Sequence, residues 1–129
     1  MFLKNVNFVT SFDYNEVITL RNCHIFGYLS LYNIFSYKPV LIESCHCIGQ
    51  ADMSSGAFYD GVTLIENTFE GFADFLDQDI RGKAIFINNR FNGGTNLMHP
   101  SGSPNGAQFE HPPYLEGNTG LERYVRPED

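Results

Sequence analysis

The chain has 129 residues, 43% of them hydrophobic and 15% aromatic, which suits one domain with a moderate core and rules out a disordered composition. Eight basic against fifteen acidic residues leave a net charge of −7, which argues against nucleic acid and against anionic membrane surfaces as partners. No apolar run approaches the ~20 residues that a membrane-spanning helix needs, and no membrane insertion is expected.

The N-terminal stretch "FLKNVNFV" enters the repeat described below almost at once. It lacks the basic start, long apolar middle and cleavage site of a signal peptide, so a cytosolic protein or a mature or internal piece of a longer one is expected. No capping helix precedes the stretch, and an open strand edge there calls for a partner or for upstream sequence. Four related phrases follow: "ITLRNCHIFG" at 18–27, "VLIESCHCIG" at 40–49, "VTLIENTFEG" at 62–71 and "AIFINNRFNG" at 84–93. Their glycines, Gly27, Gly49, Gly71 and Gly93, are 22 residues apart each time.

Whole columns keep their character at that interval. Ile18, Val40, Val62 and Ala84 form one, and Leu20, Ile42, Leu64 and Phe86 another. Ile25, Cys47, Phe69 and Phe91 form a third, and Leu31, Met53, Phe75 and Leu97 a fourth. A half-period of 11 also runs through the chain: "FEGFADF", "IRGKAIF" and "FNGGTNL" share an apolar-x-Gly-x-small-x-apolar pattern, traceable back, weakly, to residues 3–9. Only "ADFLDQDIR" at 73–81 has helical spacing, and its members fall on the same columns, so strand and turn are expected there. Short strands on a fixed interval cannot each bury a face alone, but stacked coils place like over like at ~4.8 Å. The sequence thus predicts an all-β solenoid of about 22 residues per coil, with four to five coils, residues 1–97 forming the coils ahead of a loop-rich tail.

After Met98 the register fails. "HPSGSPNGAQFEHPP" is a proline- and glycine-rich loop, and proline cannot donate to a central ladder. "YLEGNTG" then offers Leu115-x-x-Asn118, a faint return of the motif. Residues 98–129 read as a loop-rich tail of the same domain. It either forms one more, distorted coil with residues 121–129 as cap or loose end, or lies along the solenoid.

Val62-x-Leu64-x-x-Asn67-x-Phe69 followed by Gly71, repeated as Ala84, Phe86, Asn89 and Phe91, resembles the repeat of right-handed parallel β-helix proteins of the pectate-lyase-like superfamily. More weakly, the 11-residue half-repeat resembles bacterial pentapeptide-like solenoids. The resemblance covers residues 15–97 and implies a right-handed coil. It also implies an asparagine-type ladder at one turn, here Cys23, Cys45, Asn67 and Asn89.

Three groups of residues are candidate sites. Ser30, Asp52, Asp74 and Asn96 share a column between two inward ones, so they point outward. Stacked carboxylates there could serve as acid and base in glycan cleavage, or hold Ca²⁺ through oxygens. Tyr28, Tyr32 and Phe72 on neighbouring columns could stack on sugar rings. Acidic groups on adjacent coils do the chemistry in polysaccharide-cleaving β-helix families, which is what the resemblance adds. The competing expectation is a solvated acidic stripe. Cys23-His24 over Cys45-His46 has the ligand types of a zinc site, but strand neighbours point opposite ways; a Cys23–Cys45 disulfide and plain buried thiols are the other readings. Thr19, Leu41, Thr63 and Ile85, flanked by Tyr37, Tyr59, Ile65 and Ile87, form an apolar outward face suited to self-association or to cover by the long loop.

The function expected is a non-catalytic module that binds a glycan or a protein partner, without a firm cofactor. As part of a longer chain it would suit an extracellular or phage-type surface assembly. A fragment of a polysaccharide lyase or glycoside hydrolase working through Asp52 and Asp74, and a purely structural self-assembling solenoid, are the alternatives.

Overall fold

A computed structural model describes residues 1–8, 13–102 and 104–125. The last residue of the weak N-terminal half-repeat, Val9, and residues 126–129 of the expected cap lie outside them. Among the described residues there is no helix; nineteen strands of two to four residues stack in four parallel sheets. The chain is a parallel β-solenoid.

Sheet A contains β1 (Phe2–Leu3), β5 (His24–Ile25), β9 (His46–Cys47), β13 (Thr68–Phe69) and β17 (Arg90–Phe91). Sheet B contains β2 (Val6–Asn7), β6 (Leu29–Ser30), β10 (Ala51–Asp52) and β14 (Ala73–Asp74). Sheet C holds β3 (Asp13–Tyr14), β7 (Ile34–Ser36), β11 (Gly56–Phe58), β15 (Gln78–Ile80) and β18 (Ala107–Phe109). Sheet D holds β4 (Ile18–Arg21), β8 (Val40–Glu43), β12 (Val62–Ile65), β16 (Ala84–Ile87) and β19 (Tyr114–Glu116). Each coil visits D, A, B and C in turn. In the repeat proper each residue pairs with the one 22 positions on, as Val62 does with Val40 and Ala84.

The half-period has a backbone cause. Asn22, Asn33, Ser44, Ser55, Glu66, Asp77 and Asn88 all have φ between 53° and 61°, and they stand 11 residues apart. Two left-handed residues per coil therefore make two opposite corners, one between sheets D and A and one between B and C. The recurrent glycines serve close approach. A Cβ at Gly49 would stand 2.3 Å from the Gly27 carbonyl oxygen, and one at Gly71 2.5 Å from that of Gly49. Coils can pack at strand spacing there only without a side chain.

The core is the stack of inward columns. Phe58, Phe69, Phe75, Phe86 and Phe91 are fully buried, each contributing ~1.5–3 kcal/mol of transfer free energy. The Phe69 and Phe91 rings stack at 5.4 Å and 12°.

After Met98 the chain leaves the period and returns to the stack. β18 pairs with β15 and β19 with β16, so sheets C and D gain one further strand each. The final segment crosses the last coil: Arg123 Nη2 donates to the Phe91 and Asn92 carbonyls, and Thr95 N donates to the Arg123 carbonyl.

Candidate functional site

The Ser30–Asp52–Asp74 column lies in register on sheet B. The Ala73–Thr95 bridge carries Asn96 onto the same column. The side chains point away from the core, yet they are not simply solvated. Ser30 Oγ accepts the Tyr32 amide at 3.3 Å, Asp52 Oδ1 the Ser54 amide at 2.9 Å, and Asp74 Oδ1 the Leu76 amide at 2.9 Å. Each side chain thus accepts from the backbone two residues on and fixes the approach to the next corner. Asp52 Oδ1 also takes the Ser54 hydroxyl, and Asp74 Oδ1 takes Asn96 Nδ2 at 2.9 Å. Asn96 Oδ1 in turn accepts the Phe75 amide at 2.6 Å.

Burial separates the two aspartates. Asp52 is half-buried, whereas Asp74 is 8% and Asn96 6% exposed. The C-terminal segment accounts for the difference. A cavity of about 260 Å³ opens over Asp74 and Asn96, walled by Phe72 and Leu76 from the coil and by His99, Asn105 and Tyr124 from the tail. The His99 and Tyr124 rings lie 5.6 Å apart. His99 Nδ1 accepts the Ser101 amide at 3.1 Å, which leaves Nε2 to carry the ring proton when the imidazole is neutral. Gly106 lets the loop press this close, since a Cβ there would stand 2.2 Å from the Asn96 carbonyl oxygen and 2.8 Å from His99 Cβ.

Of the residues expected from the sequence, Asp74, Asn96 and Phe72 come together in this cavity. Ser30 and Asp52 continue their column below it. Tyr28 and Tyr32 are exposed on lower coils, and neither is among the cavity's described lining. His99, Asn105 and Tyr124 were not legible, because they lie where the 22-residue period has broken.

The Cys–His pairs divide across the strand. Cys23 and Cys45 are buried and free, while His24 and His46 face outward, their rings 4.8 Å apart in a T-shape. Among the described residues, no three or more His, Cys, Asp or Glu side chains gather where they could hold a metal ion. His46 Nε2 instead lies 2.7 Å from Glu70 Oε2, and Asn92 Nδ2 donates to Glu70 Oε1 at 2.9 Å. The Asn92 hydrogen bond, then His46, hold the Glu70 carboxyl below its ordinary value.

The two thiols begin the ladder at the D–A corner. Cys45 N donates to Asn67 Oδ1, Asn67 N to Asn89 Oδ1 and Asn89 N to Asn118 Oδ1, at 2.9–3.1 Å. Their Nδ2 groups donate to the Ile42, Leu64 and Phe86 carbonyls, each at 2.8 Å. Gln78 repeats the donor half of the device at the B–C corner, with Nε2 donating to the Met53 carbonyl at 2.7 Å while its buried Oε1 has no partner among the described residues. It stands 11 residues from both Asn67 and Asn89, so the half-period marked it in the sequence.

Thr19, Leu41, Thr63 and Ile85 stand in register on the outer side of sheet D, and Tyr114 continues the row above Ile85. Tyr37 and Tyr59 stack at 4.8 Å beside it, with the Arg81 guanidinium 5.9 Å from the Tyr59 ring centre.

No family model, no curated protein and no solved structure matches this chain.

Proposed function

We propose that the protein is a non-catalytic β-solenoid module that binds a glycan in the cavity over Asp74. The observation that carries this is the lining: the half-buried Tyr124 ring, with Phe72 only 6% exposed, beside a carboxylate, two amides and an imidazole. Aromatic faces pack against the C–H faces of sugars, while amides and carboxylates pair with their hydroxyls in fixed directions. The volume, about 260 Å³, lies just below the ~300–1,000 Å³ of drug-sized sites and suits a single sugar ring. Asp74 and Asn96 are locked by their own hydrogen bonds before any ligand arrives, so little ordering is needed on binding.

The asparagine ladder supports placing the coil with the pectate-lyase-like β-helices, and regular faces with a net charge of −7 suit a component of a surface or phage-type assembly. A second reading, cleavage of a polysaccharide, is favoured by one feature, the direct pairing of Asp52 with Asp74 on neighbouring strands. Against it, Oδ1 of each is already engaged by a backbone amide.

A glycan array of neutral and acidic oligosaccharides, probed with wild type, Asp74→Asn, Tyr124→Ala and Asp52→Asn, tests the proposal. Binding that drops about tenfold or more in the first two variants and persists in Asp52→Asn supports it. No binding by wild type, or equal loss in all three, refutes it. New reducing ends or unsaturated products in the bound fractions would transfer the function to the cleavage reading.

A further inference from the structure

A second cavity lies on another side of the solenoid and owes nothing to the Asp74 column. β19 pairs with β16 only from Ile85↔Tyr114 onward. The chain approaches β19 through His111-Pro112-Pro113, and prolines keep it extended and off the ladder. Lys83 and Ala84 are thus left without a strand above them. The gap is a cavity of about 430 Å³, lined by Lys83, Ala84, Ile85, His111, Pro112 and Tyr114.

Its walls are flat and apolar: the Ile85 side chain, the Pro112 ring and the Tyr114 ring. The Tyr114 hydroxyl donates to Glu116 Oε1. The rim is basic. The Lys83 side chain has no hydrogen bond or ion pair among the described residues, and the His111 ring also lines the cavity. The acid nearest in sequence, Glu110, is occupied, since its Oε1 accepts the Gly82 amide at 2.9 Å and lies 3.5 Å from His111 Nε2. An unpaired lysine over an apolar slot stands out on a chain with a net charge of −7.

We infer that this cavity binds an aromatic monocarboxylate, with the ring between Ile85, Pro112 and Tyr114 and the carboxylate at Lys83. The volume falls within the ~300–1,000 Å³ range of small-molecule sites. Charge at the rim sets the orientation, and burial of the ring supplies the affinity.

The test is a ¹⁹F NMR titration of the full chain with 4-(trifluoromethyl)phenylacetate and with the corresponding neutral amide. Wild type should bind the carboxylate about two- to fivefold more tightly than the amide, the range of a solvent-exposed ion pair. Lys83→Met, which keeps the apolar stem, should erase that preference, and Ile85→Asp should abolish carboxylate binding. Far-UV circular dichroism and thermal melting confirm that each variant is folded, and where Ile85→Asp is not, Pro112→Gly takes its place. Equal binding of acid and amide by wild type, an unchanged preference in Lys83→Met, or no binding of either probe at 10-fold excess over a millimolar dissociation constant overturns the inference. So does carboxylate binding that survives in the folded wall variant.

Discussion

Asn67 and Asn89 each join three coils through one amide, and the ladder ends on Cys23 and Cys45. In Asn89→Ala the Leu64 carbonyl and the Asn67 amide lose their partners in a buried corner. Each stranded group costs ~1–3 kcal/mol, so urea denaturation should show a loss of about 3 kcal/mol. The reverse change is informative too. Cys45 is the rung where an asparagine would offer Oδ1 to the Cys23 amide and Nδ2 to the Leu20 carbonyl. Cys45→Asn should therefore gain about 1 kcal/mol in the same assay. Burial pushes the Cys45 and Cys47 thiols up to about 11, from an ordinary value of 9.0. The folded state favours the protonated thiol, so this contribution is fully present below pH 9 and disappears as pH rises through about 11. The melting temperature should fall over that window, and Cys47→Ala should fall less steeply.

At the scale of the elements, corners matter more than strands. Strands of two to four residues have little stability of their own, and the coil repeats because its turns repeat. Gly71→Ala would put a Cβ 2.5 Å from the Gly49 carbonyl oxygen. Rigid backbone on both sides leaves no room to yield, so a cost of ~1–3 kcal/mol is expected by thermal or urea unfolding. The glycine column and the apolar columns were legible because close approach and burial each admit few residue types. The left-handed corners were not. They carry Asn, Ser, Asp and Glu, and Glu66 gives no hint that its φ is 57°. Gln78 has a fainter signal for a related reason: its partners on the same column are Ile34 and Gly56, so only the 11-residue interval links it to the asparagines. Asp74, Asn96 and Phe72 could be read from the sequence since they lie on the period. The wall that encloses them could not, because a segment that departs from the repeat has no column to betray its place.

For the molecule as a whole, the period builds a scaffold and its interruption builds the cavities. Both the Asp74 cavity and the Lys83 cavity form where the tail returns to the stack after residue 98. Arg123 ties that return to the last coil. Arg123→Ala should lower stability by ~1–3 kcal/mol and also weaken glycan binding, because Tyr124 loses its anchor. A purely structural solenoid would show the first effect without the second. The most direct measurement is an amide chemical-shift map of the ¹⁵N-labelled protein titrated with the oligosaccharide that binds most tightly on the array. The account predicts perturbations gathered at residues 72–76, 96–99, 105 and 124. Shifts spread along the outer row of sheet D, or none at saturating sugar, would contradict it.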